Sequence, residues 1–152
     1  MKFMLINGPN LNLLGIREKN IYGTTNYASL IATVEKAAAQ RGVELECRQS
    51  NIEGRLVDFI QEALTNGFDG IIINPAAYTH TSVAILDALK AVNLPAVEVH
   101  ISNIHKREEF RRKSMTAPAC AGQIAGMGIY GYVLAMDGLI NYINARREES
   151  GS

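Results

Sequence analysis

Hydrophobic and polar positions follow two patterns along this chain, and each pattern predicts one kind of element. Short unbroken apolar runs, such as the three isoleucines at 71–73, are typical of strands buried on both faces of a parallel sheet. Between such runs, apolar residues recur every three or four positions, which is the spacing of one helix face. Runs and periodic segments take turns along the chain, and this alternation predicts successive βα units.

The alternation predicts a complete α/β fold. Strands are predicted at residues 3–7, 43–48, 71–73, 96–100 and 121–125, and helices at about 27–42, 56–66, 83–93 and 129–146. The second strand alternates apolar and charged residues, so we expect it at an edge of the sheet. With right-handed crossovers, the simplest arrangement is a flavodoxin-like, doubly wound, five-stranded parallel sheet. Its strand order is 2-1-3-4-5, with helices on both faces.

The remaining sequence features narrow the class of protein. No repeat or linker interrupts the pattern, so we expect one domain over residues 1–147 and a disordered tail over 148–152. The 15 basic and 15 acidic side chains cancel, which gives no field to attract nucleic acid or an acidic membrane. No apolar run approaches transmembrane length. Cys47 and Cys120 have no metal-site spacing and are expected to be reduced thiols of a cytoplasmic protein.

Polar side chains follow three of the predicted strands. Asn10 comes after the first strand, Asn74 and His80 come after the third, and the fourth contains Glu98 and His100. The carboxyl ends of parallel strands meet at one edge of the sheet, and ligands bind there at the point where the strand order reverses. The sequence therefore predicts a ligand site at this edge, between the first and third strands.

The end of the fourth strand carries two features that suit a catalytic site. Glu98 and His100 are two residues apart, so they share one face of the strand. A carboxylate beside a histidine can fix its tautomer and raise its basicity. A charge in an otherwise apolar strand is costly unless it is paired, so we expect Glu98 to have a partner. Backbone N–H groups at Ile101 and Ser102 are suited to an anion.

The segment 11–25 has no strand or helix period, and loops of this length are often functional. It contains Arg17 and Tyr22. An ordinary phenol has a pKa of about 10, and a nearby guanidinium lowers that value by favouring the phenolate. Closure of the loop would bring the two side chains together and supply a base. For an arbitrary Arg and Tyr, plain surface exposure is the commoner explanation.

Two other functions stay open at this point. His80, Glu98 and His100 contain the two histidines and one carboxylate of a metal site, which a metal-dependent lyase or hydrolase would use. A phosphoacceptor receiver domain has the same fold, but it needs acidic residues after the first strand and an Asp ending the third. This chain has Asn7 and Asn74 at those places, which argues against a receiver.

The segment 126–131 matches the GxGxxG pattern of dinucleotide-binding proteins. The match alone is a weak signal. It belongs to the last βα unit, so no later strand can supply the acidic residue that binds a ribose. We interpret these glycines as permitting a tight turn and close packing of a helix on the sheet.

Five motifs occur together in the order and spacing of one family. They are NGPNLNLLG at 7–15, the loop with Arg17 and Tyr22, NPAAYTHTS at 74–82, EVHISN at 98–103 and REEFRR at 107–112. Through them the chain resembles the type II 3-dehydroquinate dehydratases over about residues 3–145. The resemblance implies a flavodoxin-like, metal-free and cofactor-free lyase that converts 3-dehydroquinate to 3-dehydroshikimate. It leaves open whether the enzyme serves aromatic biosynthesis or quinate breakdown.

The resemblance also implies roles for the residues of the reaction centre. Tyr22 matches the base that removes a proton beside the ketone, and Arg17 matches the residue that keeps this base ionised. Asn10 matches a residue that stabilises the enolate through a water. His100 matches the acid that protonates the departing hydroxyl, with Glu98 behind it.

Further positions match residues that hold the substrate or join subunits. Asp87 matches a residue that reaches the site of a neighbouring subunit, and the family assembles as a dodecamer of four trimers. Ala76 stands where the family often has Gly, and its methyl group is expected to narrow the pocket floor. The positions that match substrate contacts are Asn74, His80, Arg111 and the backbone at Ile101 and Ser102.

Overall fold

The computed structural model describes residues 1–16 and 25–151 of the chain. Within these residues, five parallel strands form one sheet in the order β2-β1-β3-β4-β5, which confirms the predicted topology. The strands are β1 Lys2–Asn7, β2 Glu44–Gln49, β3 Gly70–Asn74, β4 Ala96–His100 and β5 Gly122–Ala125. The α-helices are α1 Tyr27–Gln40, α2 Glu53–Thr65, α3 Val83–Val92 and α4 Tyr130–Gly151.

The sheet has a hydrophobic core on each face. Successive side chains of a strand point to opposite faces, so Leu5 joins the core under α1 and α4 while Ile6 joins the core under α2 and α3. Ile72 and Ile73, their partners on β3, divide in the same way. Both faces are apolar because helices cover both, which explains the unbroken apolar runs of β1 and β3.

The edges of the sheet and the ends of the helices follow the sequence pattern. The strand β2 lies at an edge, as its alternation predicted. Gly42 has a φ of 65° after α1, and the N–H of Val43 donates to the Ala38 carbonyl at 2.9 Å. This left-handed C-terminal cap is the one that the glycine predicted. In the described part of the chain, no helix has both the length and the apolar character that a membrane span requires.

The end of the chain differs from the prediction. The helix α4 continues to Gly151, so the described residues of the expected tail at 148–152 are helical. Hydrophobic periodicity ends earlier, but Arg and Glu are good helix formers and need no core contact to extend a helix. An ion pair of 2.9 Å between Arg147 and Asp69 and a hydrogen bond of 2.9 Å from Ser150 Oγ to the Arg146 carbonyl support the extension.

The GxGxxG segment forms the turn between β5 and α4, next to the loop that follows β4. Gly126 has a φ of 91°, and a Cβ there would lie 3.0 Å from the Asn103 Cβ. A Cβ on Gly131 would lie 3.5 Å from a methyl group of Val99 on β4, so the start of α4 packs closely on the sheet. The positive φ angles of Gly126 and Gly128 agree with the predicted tight turn, and only at Gly126 would a Cβ be crowded.

Candidate active site

A cavity opens at the carboxyl edge of the sheet, where the loops after β1, β3 and β4 meet. The strands β1 and β3 are adjacent in the sheet, although β2 comes between them in the chain and lies on the other side of β1. This is therefore the point where the strand order reverses. The cavity is the place that the sequence predicted for a ligand. Seven of the predicted site residues line it, and they are Asn10, Asn74, His80, His100, Ile101, Ser102 and Arg111.

The loop after β1 is held by hydrogen bonds to residues at the end of β2 and just after it. Asn10 has a left-handed φ of 69°, and its N–H donates to Asn51 Oδ1 at 2.9 Å. Gln49 Nε2 donates to the same oxygen at 3.1 Å and to the Gly8 carbonyl at 3.2 Å. Reasoning from the sequence missed this support, although the run of polar residues after β2 was a signal for it.

Asn74, at the end of β3, is buried and hydrogen-bonded on both sides of its amide. Its Oδ1 accepts the Ala76 N–H at 3.0 Å, and its Nδ2 donates to the Tyr132 hydroxyl at 2.8 Å. That hydroxyl donates in turn to Asn7 Oδ1 at 2.7 Å. Tyr132 belongs to α4 and is fully buried. Its ring is in the core, but its hydroxyl ties the ends of β1 and β3 together.

Ala76 lines the cavity with a left-handed backbone, at a φ of 53°. A residue with a Cβ is destabilised by about 1–2 kcal/mol in this conformation, whereas Gly is not. Ala76 lies in the cavity wall, and the effect of its methyl group on the pocket floor stays a prediction. The positive φ gives a backbone reason for glycine at this position.

His80 is oriented by a backbone carbonyl. Its Nδ1 lies 2.8 Å from the Lys113 carbonyl oxygen. A carbonyl only accepts, so Nδ1 must carry the proton, and a neutral ring then has Nε2 as an acceptor.

Glu98 and His100 form a buried pair in the wall of the cavity. Glu98 is 0% exposed and His100 is 5% exposed, and Glu98 Oε2 lies 2.9 Å from His100 Nε2. Burial raises the pKa of Glu98, but hydrogen bonds from His100 and Thr116 outweigh it and bring the pKa below its usual value. The ionised carboxylate therefore accepts a hydrogen bond from Nε2–H, and Nδ1 is the nitrogen left to exchange a proton. The expectation that Glu98 has a partner is confirmed.

Three further donors surround the same carboxylate. Ser114 Oγ donates to Oε2 at 2.8 Å, Gln123 Nε2 donates to Oε2 at 2.6 Å, and Thr116 Oγ1 donates to Oε1. Sequence reasoning missed all three, because they lie 16 to 25 residues beyond Glu98 and spacing does not show which polar atoms meet across distant segments.

Comparison with known proteins agrees with this geometry. A family model described as dehydroquinase class II matches residues 1–140. The 3-dehydroquinate dehydratase of Clostridium perfringens (strain 13 / Type A) is 60% identical over 146 residues, which cover 96% of this chain and 100% of that protein. The chain belongs to the class II dehydroquinase family.

Solved structures of class II dehydroquinases share the fold over nearly the whole chain. The type II dehydroquinase of Butyrivibrio crossotus superposes with a TM-score of 0.90 at 56% identity, covering 91% of this chain and 97% of that one. The enzyme of Propionibacterium acnes gives 0.86 at 43% identity, covering 91% and 94%. The activity that accompanies this membership is the dehydration of 3-dehydroquinate, so the protein is a carbon–oxygen lyase.

Not every predicted site residue of this dehydroquinase lies at the cavity. Arg17 and Tyr22 are outside the described residues. Asp87 is exposed on α3 and is not part of the cavity wall. Arg111 lines the wall and is oriented by Glu108, whose Oε2 lies 2.5 Å from the arginine Nε.

The metal-dependent alternative finds no support in the arrangement of ligands. Within residues 1–16 and 25–151, no group of three or more His, Cys, Asp or Glu side chains could hold a metal ion. Glu98 Oε2 already faces three donors, and His80 is turned to the Lys113 carbonyl. Glu98 and His100 are therefore paired with each other, while His80 has a different partner.

Proposed function

We propose that this dehydroquinase removes water from 3-dehydroquinate by an enolate-type elimination, with Tyr22 as base and His100 as acid and without a metal or cofactor. The base takes a proton from the carbon beside the ketone, and the electrons of that C–H bond form the enolate. The enolate then forms the C=C bond as the C–O bond breaks, and the hydroxyl leaves as water with a proton from the acid. The buried Glu98–His100 pair at the cavity wall is the observation that carries the proposal.

His100 suits the acid because of its partner. An ionised Glu98 holds the Nε2 proton and stabilises a positive ring, so the proton given to the leaving group comes from Nδ1. General acid catalysis of this kind contributes about 10²–10⁴-fold to a rate. Glu98 is fully buried, so little water screens the pair, and this strengthens the interaction.

The assignment of Tyr22 and Arg17 rests on chemistry and on where their segment is attached. A phenol is almost fully protonated at neutral pH, so a base of this type needs a neighbouring cation such as Arg17. Leu14, which precedes Arg17 in the chain, lines the cavity. Gly15 packs against Thr25 on the far side, because a Cβ on Gly15 would lie 2.4 Å from the Thr25 carbonyl oxygen. Leu14 and Gly15 on one side of residues 17–24, and Thr25 on the other side, are therefore close to each other beside the cavity.

The enolate needs hydrogen-bond donors where its charge develops, and such donors usually contribute more to catalysis than any other single effect. We assign that task to Asn10, acting through a water. Its position in the cavity wall and its fixed left-handed backbone support the assignment.

The remaining wall residues recognise the substrate. We assign the substrate carboxylate to the backbone of Ile101 and Ser102, where the chain leaves β4. We assign the ring hydroxyls to Asn74, His80 and Arg111. His80 meets a hydroxyl through Nε2, since its Nδ1 is bound to the Lys113 carbonyl, while Asn74 is held in place by its two intramolecular hydrogen bonds.

We also propose a cytoplasmic dodecamer of four trimers, in which Asp87 serves a neighbouring subunit. Asp87 is exposed and outside its own cavity, which is consistent with a contact to another copy.

The test of the elimination is the absorbance of the conjugated enone product when pure protein meets 3-dehydroquinate. The parent should form product, and Tyr22→Phe should lose most turnover because only a hydroxyl is removed. Arg17→Lys should also lose most turnover, because an ammonium lacks the planar fork of a guanidinium. Tyr142→Phe, at an exposed hydroxyl on α4, is the matched control and should keep it. Substantial turnover by Tyr22→Phe would place the base elsewhere.

A further inference from the structure

The carboxylate of Glu98 is held by more donors than a simple partner of His100 requires. Besides His100, it accepts hydrogen bonds from Ser114, Thr116 and Gln123, which come from two other segments of the chain. Glu98 and Thr116 are both 0% exposed, so water does not replace these contacts. A carboxylate can accept about four hydrogen bonds, and Glu98 accepts four, three at Oε2 and one at Oε1.

The directions of the hydroxyl protons around Glu98 can be deduced by counting. Ser114 and Thr116 each have one hydroxyl proton, and each gives it to the carboxylate. Thr79 Oγ1 lies 2.9 Å from Ser114 Oγ and 2.8 Å from Thr116 Oγ1, so Thr79 must be the donor to one of them. The Ala117 N–H also donates to Ser114 Oγ, at 2.9 Å. The hydroxyl protons of Ser114 and Thr116 therefore point to Glu98, as an ionised carboxylate requires, while Thr79 and Ala117 donate to this pair of hydroxyl groups.

We infer that Thr116, Ser114 and Gln123 are positioning residues that keep Glu98 ionised, aim it at His100 and limit how strongly its charge stabilises the protonated ring of His100. The inference rests on the proposed role of His100 as the acid. A carboxylate that shares its charge among four donors attracts any one proton less than a carboxylate with a single partner does. The three residues thus set how readily the acid releases its proton.

Other charged or titratable groups also lie near the Glu98–His100 pair, and they are the same residues in the parent and in a variant that lacks one donor. From the loops around the cavity they are His80, Arg107 and Arg111, which line the same wall as His100. The segment before β5 contributes Cys120. Burial, and to a smaller extent the charge of Glu98, raises the pKa of this thiol to about 12. The neighbouring helix α3 turns apolar residues inward on this face of the sheet.

The test is the pH dependence of kcat/KM in Thr116→Val, which removes the Oε1 donor and preserves the side-chain shape. The alkaline limb of the profile reports the acid in its protonated form. We expect this limb to move up by about half a pH unit or more, because the remaining charge of Glu98 holds the proton of His100 more strongly. Thr116→Ser restores the hydroxyl and should restore the parent profile.

Two further variants make the result decisive. Gln123→Met removes a donor from the exposed edge strand β5, where the fold tolerates the change, and should move the limb in the same direction by a smaller amount. Thr33→Val, at an exposed hydroxyl on α1, should leave the profile unchanged. An unmoved limb in folded Thr116→Val, or in Gln123→Met if Thr116→Val does not fold, overturns the inference. The proposed function fails separately, by an active His100→Ala.

Discussion

At the scale of single residues, Glu98 combines full burial with an ionised side chain. An unpaired carboxylate in a buried strand would be strongly destabilising, and the four donors around it remove that penalty. Because the pKa of Glu98 is below its unfolded value of about 4.3, its contribution to stability is present above that pH. The contribution is lost as the pH falls through the lower pKa of the folded protein.

We expect Glu98→Gln to destabilise the fold at neutral pH by about 1–3 kcal/mol, the range for leaving a buried polar group unsatisfied. Whichever way the amide turns, its Nε2 meets a donor such as Thr116 or Gln123. Urea unfolding of parent and variant measures the difference at pH 7 and again below pH 4. The difference in unfolding free energy between parent and variant should narrow in acid, since Glu98 titrates and glutamine does not. An equal gap at both values would contradict the low pKa of Glu98.

Ala76 permits a second test at this scale. Its φ of 53° is strained for a residue with a Cβ, so Ala76→Gly should stabilise the fold by about 0.5–1 kcal/mol once the extra chain entropy of Gly is subtracted. The control is Ala77→Gly, the adjacent residue in the same turn, which lacks a positive φ and should lose stability. Thermal unfolding compares the two. Equal effects of both substitutions would exclude backbone strain at Ala76.

At the scale of elements, the ends of three strands are tied into one rigid edge by side chains from elsewhere in the fold. The Tyr132 hydroxyl on α4 bridges Asn74 on β3 and Asn7 on β1. Asn51, after β2, holds the loop of Asn10 through its side chain and accepts the Tyr78 hydroxyl through its backbone carbonyl at 3.0 Å. The substrate-facing residues are therefore fixed by a frame of buried and peripheral amides.

Removal of the Tyr132 hydroxyl tests this frame. Tyr132→Phe leaves the buried amides of Asn74 and Asn7 without their shared partner, so we expect a loss of about 1–3 kcal/mol in unfolding free energy. The KM should rise more than kcat falls, because Asn74 is assigned to substrate binding. Tyr142→Phe, at an exposed position of the same helix, should change neither quantity. Parent-like stability and KM in Tyr132→Phe would show that the bridge does not hold the site.

At the scale of the whole molecule, alternating patterns were sufficient to predict the sheet order and both cores, because burial on one or two faces leaves a direct trace in residue spacing. They were also sufficient to place Asn74 and His100 at one edge. They could not predict that Tyr132 meets Asn74, or that Thr116 and Gln123 meet Glu98. Spacing tells which side chains point inward, but not which polar atoms meet across distant segments.

The proposed assembly also belongs to this scale. If Asp87 completes a neighbour's site, a mixture of Asp87→Ala and His100→Ala subunits should regain activity after unfolding and reassembly, since some hybrid sites then have both native residues. Each variant reassembled alone is the control. Light scattering on the same samples should show a particle of twelve chains. An active monomer, or no recovery in mixed particles when both variants are inactive alone, would contradict the proposed role of Asp87.

The central claim is that the Glu98-bound His100 is the acid of the dehydration, and the turnover of His100→Ala tests it most directly. The measurement is kcat for formation of the enone product, made beside an independent measurement of substrate binding. We expect kcat to fall by about a hundredfold or more, the usual contribution of an acid, while binding stays measurable. A variant that turns over 3-dehydroquinate at nearly the parent rate would contradict the claim.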